Sequence, residues 1–189
     1  MTTKEYQKFI LPRIKHKLKG LEVISEWTAF QGYKNHYSPR VDIAVGPFSI
    51  QPGNNQMQEY NKLIQEKNVK KVLNELFKLH VKNLGEEPLI NELVVADFNN
   101  LLIKNQNARC FLAIEIENEN SKKHIMGSLI NASSLGRVGI GVAYSEKTFR
   151  TFIRILNYLA FLKRVGKNTY DTTNFLIVKK DQMVDLISN

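Results

Sequence analysis

A single cysteine, Cys110, stands among 189 residues. One thiol excludes an internal disulfide framework and any zinc site built from several cysteines. At the head of an apolar run it reads as core filler rather than as a nucleophile. His16, His36 and His80 lie too far apart to read as a zinc set. No apolar run approaches the roughly 18 residues that a membrane span needs, and the N-terminus is too polar and charged for a secretory signal. A cytoplasmic protein without a membrane-spanning segment is therefore expected. Acids are in deficit, 18 Asp and Glu against 27 Lys and Arg, for a net charge of +9. Such an excess concentrates a polyanion, which makes nucleic acid, or an anionic membrane surface, the natural partner class.

What is present is ordinary for a folded chain: 43% hydrophobic and 24% charged residues, enough for one well-packed domain over residues 1–189. Tyr6, Ile10, Ile14 and Leu18 recur every fourth residue among Lys and Arg and predict a helix over 4–18 stopped by Gly20. Leu21 to Phe30 reads as a strand, and a turn-rich loop leads to a second strand over 41–45 that ends at Gly46-Pro47. From 51 to 107 the pattern becomes polar and helical, a helical insertion in three segments, with Asn105-Gln106-Asn107 the one short linker. The last third alternates: strand 110–117, helix 121–135, strand 138–143, helix 146–164, strand 174–178, helix 180–187. This predicts an α/β fold with a mixed central sheet flanked by helices. Asn118, Asn120 and Ser121 are placed to cap the helix that follows the first of these strands, and Gly136 to end it. The run Gly-Arg-Val-Gly-Ile-Gly at 136–141 does not predict a dinucleotide site, because its glycines follow a helix and enter a strand.

The stretch with most chemistry is Phe-Leu-Ala-Ile-Glu-Ile-Glu at 111–117. Side chains two apart on a strand point the same way about 6–7 Å apart, so Glu115 and Glu117 share one face while Leu112, Ile114 and Ile116 take the other. Asp42, in Val-Asp-Ile-Ala-Val, is a third acid on an apolar strand. Magnesium takes oxygen donors, usually one or two carboxylates, and leaves its remaining positions to water and phosphate oxygens, which Asp42 with Glu115 would satisfy. Without a cation the acids push one another's pKa upward. The bland alternatives are solvated strand-end glutamates with surface ion pairs to the next helix, worth less than about 1 kcal/mol, and a turn or capping role for Asp42.

Pro39-Arg40-Val41-Asp42 and Glu115-Ile116-Glu117, followed by a helix and further strands, resemble the PD-(D/E)xK nuclease superfamily over about residues 1–145. Two residues separate the proline from the acid, and glutamate stands at 117 where most members carry lysine. The resemblance implies a restriction endonuclease-like core and Mg²⁺-dependent hydrolysis of DNA, with Mn²⁺ as a substitute metal. Asp42, Glu115 and Glu117 would hold the metal, Glu117 serving also as the base. Lys123, ahead of Lys122, would supply the missing positive charge. It further implies a homodimer as the form that cuts both strands.

Lys122, His124, Lys147, Arg150 and Arg154 are the candidate nucleic-acid contacts. The last three lie on one stripe of the helix over 146–164, and phosphate contacts of this kind fix position without reading sequence. Lys15, Lys17 and Lys19 add to the basic surface, and Tyr33, His36 and Tyr37 could meet a base or sugar from their loop. A simple solvated face is the alternative for the cations, and a cap for His124. Two competing functions remain open: a nucleic-acid-binding protein of the same fold without hydrolysis, and a protein-interaction module for acidic partners.

Overall fold

The computed structural model describes residues 1–30, 38–50, 56–86, 98–169 and 171–188, with the side chains of 100–102 excepted. Helix α1 (Thr3–Lys17) opens on a capping box, in which Thr2 and Glu5 each accept the other's backbone amide, and Gly20 turns the chain at φ +88°. Strands β1 (Val23–Thr28) and β2 (Arg40–Val45) follow, then α2 (Met57–Gln65), α3 (Lys67–Gly85) and α4 (Phe98–Ile103). The remaining elements alternate: β3 (Cys110–Glu117), α5 (Lys122–Leu135), β4 (Gly136–Ala143), α6 (Glu146–Arg164), β5 (Phe175–Lys179) and α7 (Lys180–Ser188). The chain is α/β with one mixed five-stranded sheet in the order β1-β2-β3-β4-β5. β1, β2 and β3 pair antiparallel, whereas β3, β4 and β5 pair parallel.

Helices cover both faces of the sheet, and each face has its own core. Ile10 and Ile14 of α1, Tyr60 of α2, Leu73 and Leu76 of α3 and Leu186 of α7 pack with Ile43, Ile114, Ile140 and Val178. On the other face Ile125, Leu129 and Ala132 of α5 and Phe149, Phe152 and Leu156 of α6 pack with Ala44, Ala113 and Ile177. The predicted insertion over 51–107 interrupts the chain between two neighbouring strands, yet its α2 and α3 belong to the first core. Its third predicted segment is described only from 98, where Phe98 packs at 5.5 Å on Phe77. Asn105 is an anchor: at φ +44° its side-chain amide donates to the carbonyls of Ser133, Ser134 and Gly136 at 2.7–3.0 Å and fastens the α5–β4 turn.

The glycine-rich run extends β4 two residues before the predicted start. A Cβ on Gly139 would lie 2.8 Å from the Ala132 backbone, and one on Gly141 2.6 Å from the Phe175 ring, so glycine here lets α5 and the aromatic core approach the strand. Cys110 is buried and its thiol pKa is pushed up by burial, which agrees with a packing role. Among the described residues no helix is long and apolar enough to cross a membrane.

Candidate active site

Parallel pairing in register brings Glu117, Ala143 and Lys179 to the same level, so β3, β4 and β5 end along one edge of the sheet. At that edge β1 ends and β2 begins, with Thr28 opposite Arg40. In open α/β sheets the carboxyl edge of the strands is where ligands bind. The acids lie in a row just inside it. Ser25 opposite Ile43 and Trp27 opposite Val41 put Glu26 across from Asp42; Ile43 opposite Ile114 puts Asp42 across from Glu115; Gly141 stands beyond, opposite Glu115.

Asp42 is half-buried, while Glu115 and Glu117 are only 6% and 3% exposed. This burial rules out the solvated strand-end account of the two glutamates. Asp42 Oδ2 accepts the Ile116 amide at 2.7 Å, a bond across to β3 and not the turn or capping contact expected as an alternative. Across the β2–β3 pairing its carboxyl neighbours that of Glu115, and each acts on the other's titration. Two carboxyls in such contact hold either a shared proton or a cation between them. Burial drives the Glu115 pKa well above its ordinary 4.5, and the charges of Asp42 and Glu117 push it the same way. Burial also raises Asp42, against the pull of the Ile116 amide.

Glu117 turns toward α5. Ser128 Oγ donates to its Oε1, and His124 Nε2 lies 3.3 Å from the same oxygen. Burial raises the Glu117 pKa while Ser128 and His124 oppose the rise. Two of the three expected acids therefore meet, and the third stands one step along β3 with an oxygen already engaged. Among the described residues no three acid, histidine or cysteine side chains converge closely enough to hold a metal ion as they stand. The Asp42–Glu115 pair by itself offers the one or two hard oxygen donors that magnesium takes from protein.

A half-open cleft of about 610 Å³ adjoins the row, lined by Lys4, Gln7, Lys8 and Leu11 of α1 with Glu26, Arg40, Asp42 and Ile116. Gln7 Nε2 donates to the Asp42 carbonyl at 2.6 Å and to Glu26 Oε1 at 3.1 Å, and Arg40 Nε pairs with Glu26 at 3.0 Å. Glu26 takes a left-handed backbone, φ +53°, inside its strand. Such a conformation costs a non-glycine residue about 1–3 kcal/mol and persists only where its surroundings impose it.

Of the predicted cations, Lys122, Lys123 and His124 occupy the exposed first turn of α5 beside Glu117. Ser121 stands at the N-cap in extended conformation, but its side chain makes no capping hydrogen bond, in contrast to the expected cap. The helix dipole there favours an anion. Lys147 lies in the first turn of α6, four residues beyond Ala143 and so at the same edge. Arg150 and Arg154 are exposed further along α6, each turn about 5.4 Å farther from the acids. The loop bearing Tyr33, His36 and Tyr37 lies outside the described residues.

Three participants were not foreseen. Gln7 lies within the basic helix over 4–18, Glu26 within the strand over 21–30 and Ser128 within the helix over 121–135, and the sequence reading assigns none of them a role. Ser128 carried a signal, being four residues from His124 and so on the same helix face. Glu26 carried none, because its importance comes from register with Asp42. In comparison with known proteins, no family model, curated protein or solved structure matches the chain.

Proposed function

We propose that the chain is a divalent-metal-dependent nuclease that hydrolyses phosphodiester bonds in DNA, with Mg²⁺ as the metal and Mn²⁺ as a substitute. The observation that carries this reading is the Asp42–Glu115 carboxyl pair, half-buried Asp42 beside buried Glu115 on neighbouring strands at the carboxyl edge of the sheet, with both pKa values raised. A like-charged pair of this kind is costly to fold around, and groups with pKa values perturbed in this way cluster at functional sites. A dication bound between the pair would offset charge on the scissile phosphate and lower the pKa of the attacking water.

The chain's own residues supply the rest. Glu117, with a raised pKa and oriented by Ser128, takes the proton from the attacking water. His124 beside it holds the proton relay or touches the phosphate. Lys123, with Lys122, offsets the charge that builds on phosphorus, in place of the lysine that the PD-(D/E)xK pattern would carry at position 117. Lys4, Lys8 and Arg40 line the cleft along which the strand approaches. Positioning by cations that read no bases agrees with the net charge of +9.

The test incubates circular single-stranded and circular duplex DNA with the protein in Mg²⁺, Mn²⁺ or EDTA, beside Glu115→Ala. Metal-dependent cleavage that the substitution abolishes is expected. Salt-sensitive binding with no cleavage under any metal would favour the non-hydrolytic reading, which the engagement of Glu117 by Ser128 and His124 supports.

A further inference from the structure

Helix α6 carries two stripes. Phe149, Phe152, Ile153, Leu156 and Leu159 are buried against the sheet and α5. The opposite side bears Lys147, Arg150, Arg154, Tyr158, Phe161 and Val165, at steps of three and four residues. At 100° per residue these six fall within about 80° of the helix circumference. All are exposed, Tyr158 by 49%, Phe161 by 41% and Val165 by 46%, and Tyr158 and Phe161 are the only aromatic residues among the exposed large hydrophobics of the described chain. The Arg164 guanidinium lies 5.7 Å from the centre of the Phe161 ring.

Charge selects the occupant. After Glu146, which is engaged by Lys179 at 2.7 Å, the sequence has no acid until Asp171. A face that begins with three cations and continues with two rings and an arginine suits a polyanion with stackable bases, whereas an acidic peptide gives no reason for the rings. Duplex DNA offers the phosphates but keeps its bases stacked on one another. Single strands bind to grooves that combine cations along the backbone with aromatic platforms under the bases.

We propose that this face of α6 is a track for a single strand of nucleic acid. Phosphates lie on Lys147, Arg150 and Arg154, and bases stack on Tyr158 and Phe161. From Lys147 to Phe161 the helix rises about 21 Å, the length of about six stacked nucleotides. The track starts at the edge that holds Glu117 and leads away from it, so the substrate of the acidic site is DNA with an unpaired segment beside the scissile bond. The inference rests on the nuclease reading for its substrate, but its test needs no hydrolysis.

Fluorescence anisotropy in EDTA follows binding of a labelled oligothymidylate of about 20 nucleotides, longer than a single-strand site of ~4–16, and of the duplex of equal length. Preference for the single strand is expected. Tyr158→Ala and Phe161→Ala should each weaken it roughly tenfold, while Tyr158→Phe should retain affinity because stacking needs the ring alone. Replacing Lys147, Arg150 and Arg154 together by Ala should reduce the slope of log affinity against log salt by about 2, at ~0.7 for each phosphate contact to a single strand. These side chains are exposed, so circular dichroism and thermal melting of the variants should match the parent protein. Equal or tighter binding of duplex, or affinity within twofold of the parent after Tyr158→Ala with Phe161→Ala, would overturn the proposal. So would sedimentation showing a dimer that these substitutions dissociate, since the face would then join two copies. Cleavage that depends on Glu115, with binding insensitive to Tyr158 and Phe161, would remove the track and leave the nuclease. Single-strand binding sensitive to both, with no cleavage, would do the reverse.

Discussion

Around Ile177 of β5 and around Glu115 of β3 the chain buries polar side chains against the same sheet, but on opposite plans. At Ile177 the groups are neutral and complementary. His80 Nδ1 accepts the Ile177 amide at 3.0 Å, Asn83 donates to the Ile177 carbonyl at 3.1 Å, and Asn83 and Gln182 exchange two hydrogen bonds at 2.8 Å. Helix α3 thus covers an edge strand that would otherwise present open backbone groups. At Glu115 like charges face one another and one backbone amide serves Asp42. The first arrangement serves stability. The second costs stability unless a proton or a cation joins it, an asymmetry that the proposed function explains as that of a site against a strut.

The comparison can be broken at either end. The largest expected effect is on cleavage: Asp42→Asn or Glu115→Ala should reduce the metal-dependent rate at least about a thousandfold, or ~4 kcal/mol in the barrier, read from initial rates on circular DNA. Next comes the strut. Burial lowers the His80 pKa from 6.5 to about 4. Below 6.5 the unfolded chain takes up a proton that the folded chain refuses. Stability from this residue is therefore complete above 6.5 and falls as pH drops toward 4, by about 3 kcal/mol in all. Chemical denaturation across that range should show the loss, and His80→Leu should remove the pH dependence while lowering stability at neutral pH by about 1–3 kcal/mol for the unpaired Ile177 amide.

The acid pair has the opposite sign. The Glu115 pKa lies above 4.5 in the folded chain, so folding takes up a proton in the window above that value, and stability falls as pH rises through it. Glu115→Gln should therefore stabilise the metal-free protein at neutral pH, on the order of 1–3 kcal/mol, with the gap over the parent widening as pH rises from 4.5. Mg²⁺ should narrow the gap by stabilising only the parent, by about 2.7 kcal/mol at a hundredfold excess over Kd. The smallest effect belongs to Ser128→Ala. Without the hydroxyl the Glu117 pKa moves further up, so the acid limb of the rate profile should shift to higher pH with a rate change near fivefold, about 1 kcal/mol.

Periodicity made most of the fold legible. The helix over 146–164 follows from an apolar pattern of period 3.6 that buries one face, and the strand over 110–117 from a short apolar run that is buried on both faces of the sheet. The facing of Glu115 and Glu117 away from Ile114 and Ile116 was likewise legible, since side-chain alternation is local geometry. What could not be read depends on pairing between segments distant in sequence. Asp42 meets Glu115 through register, Glu26 joins through register and a left-handed backbone, and Asn105 becomes an anchor only once α5 and β4 meet beneath it. The same limit applies to Glu117, whose engagement by α5 moves it out of the Asp42–Glu115 contact.

Anomalous diffraction from crystals soaked in Mn²⁺ tests the carboxyl pair most directly. The expected result is one peak within about 2.0–2.3 Å of an Asp42 oxygen and a Glu115 oxygen, the range of hard divalent ions on oxygen ligands, and absent from Glu115→Gln crystals. No peak between the two carboxyls at saturating Mn²⁺ would contradict the reading of this edge as a metal-dependent nuclease site.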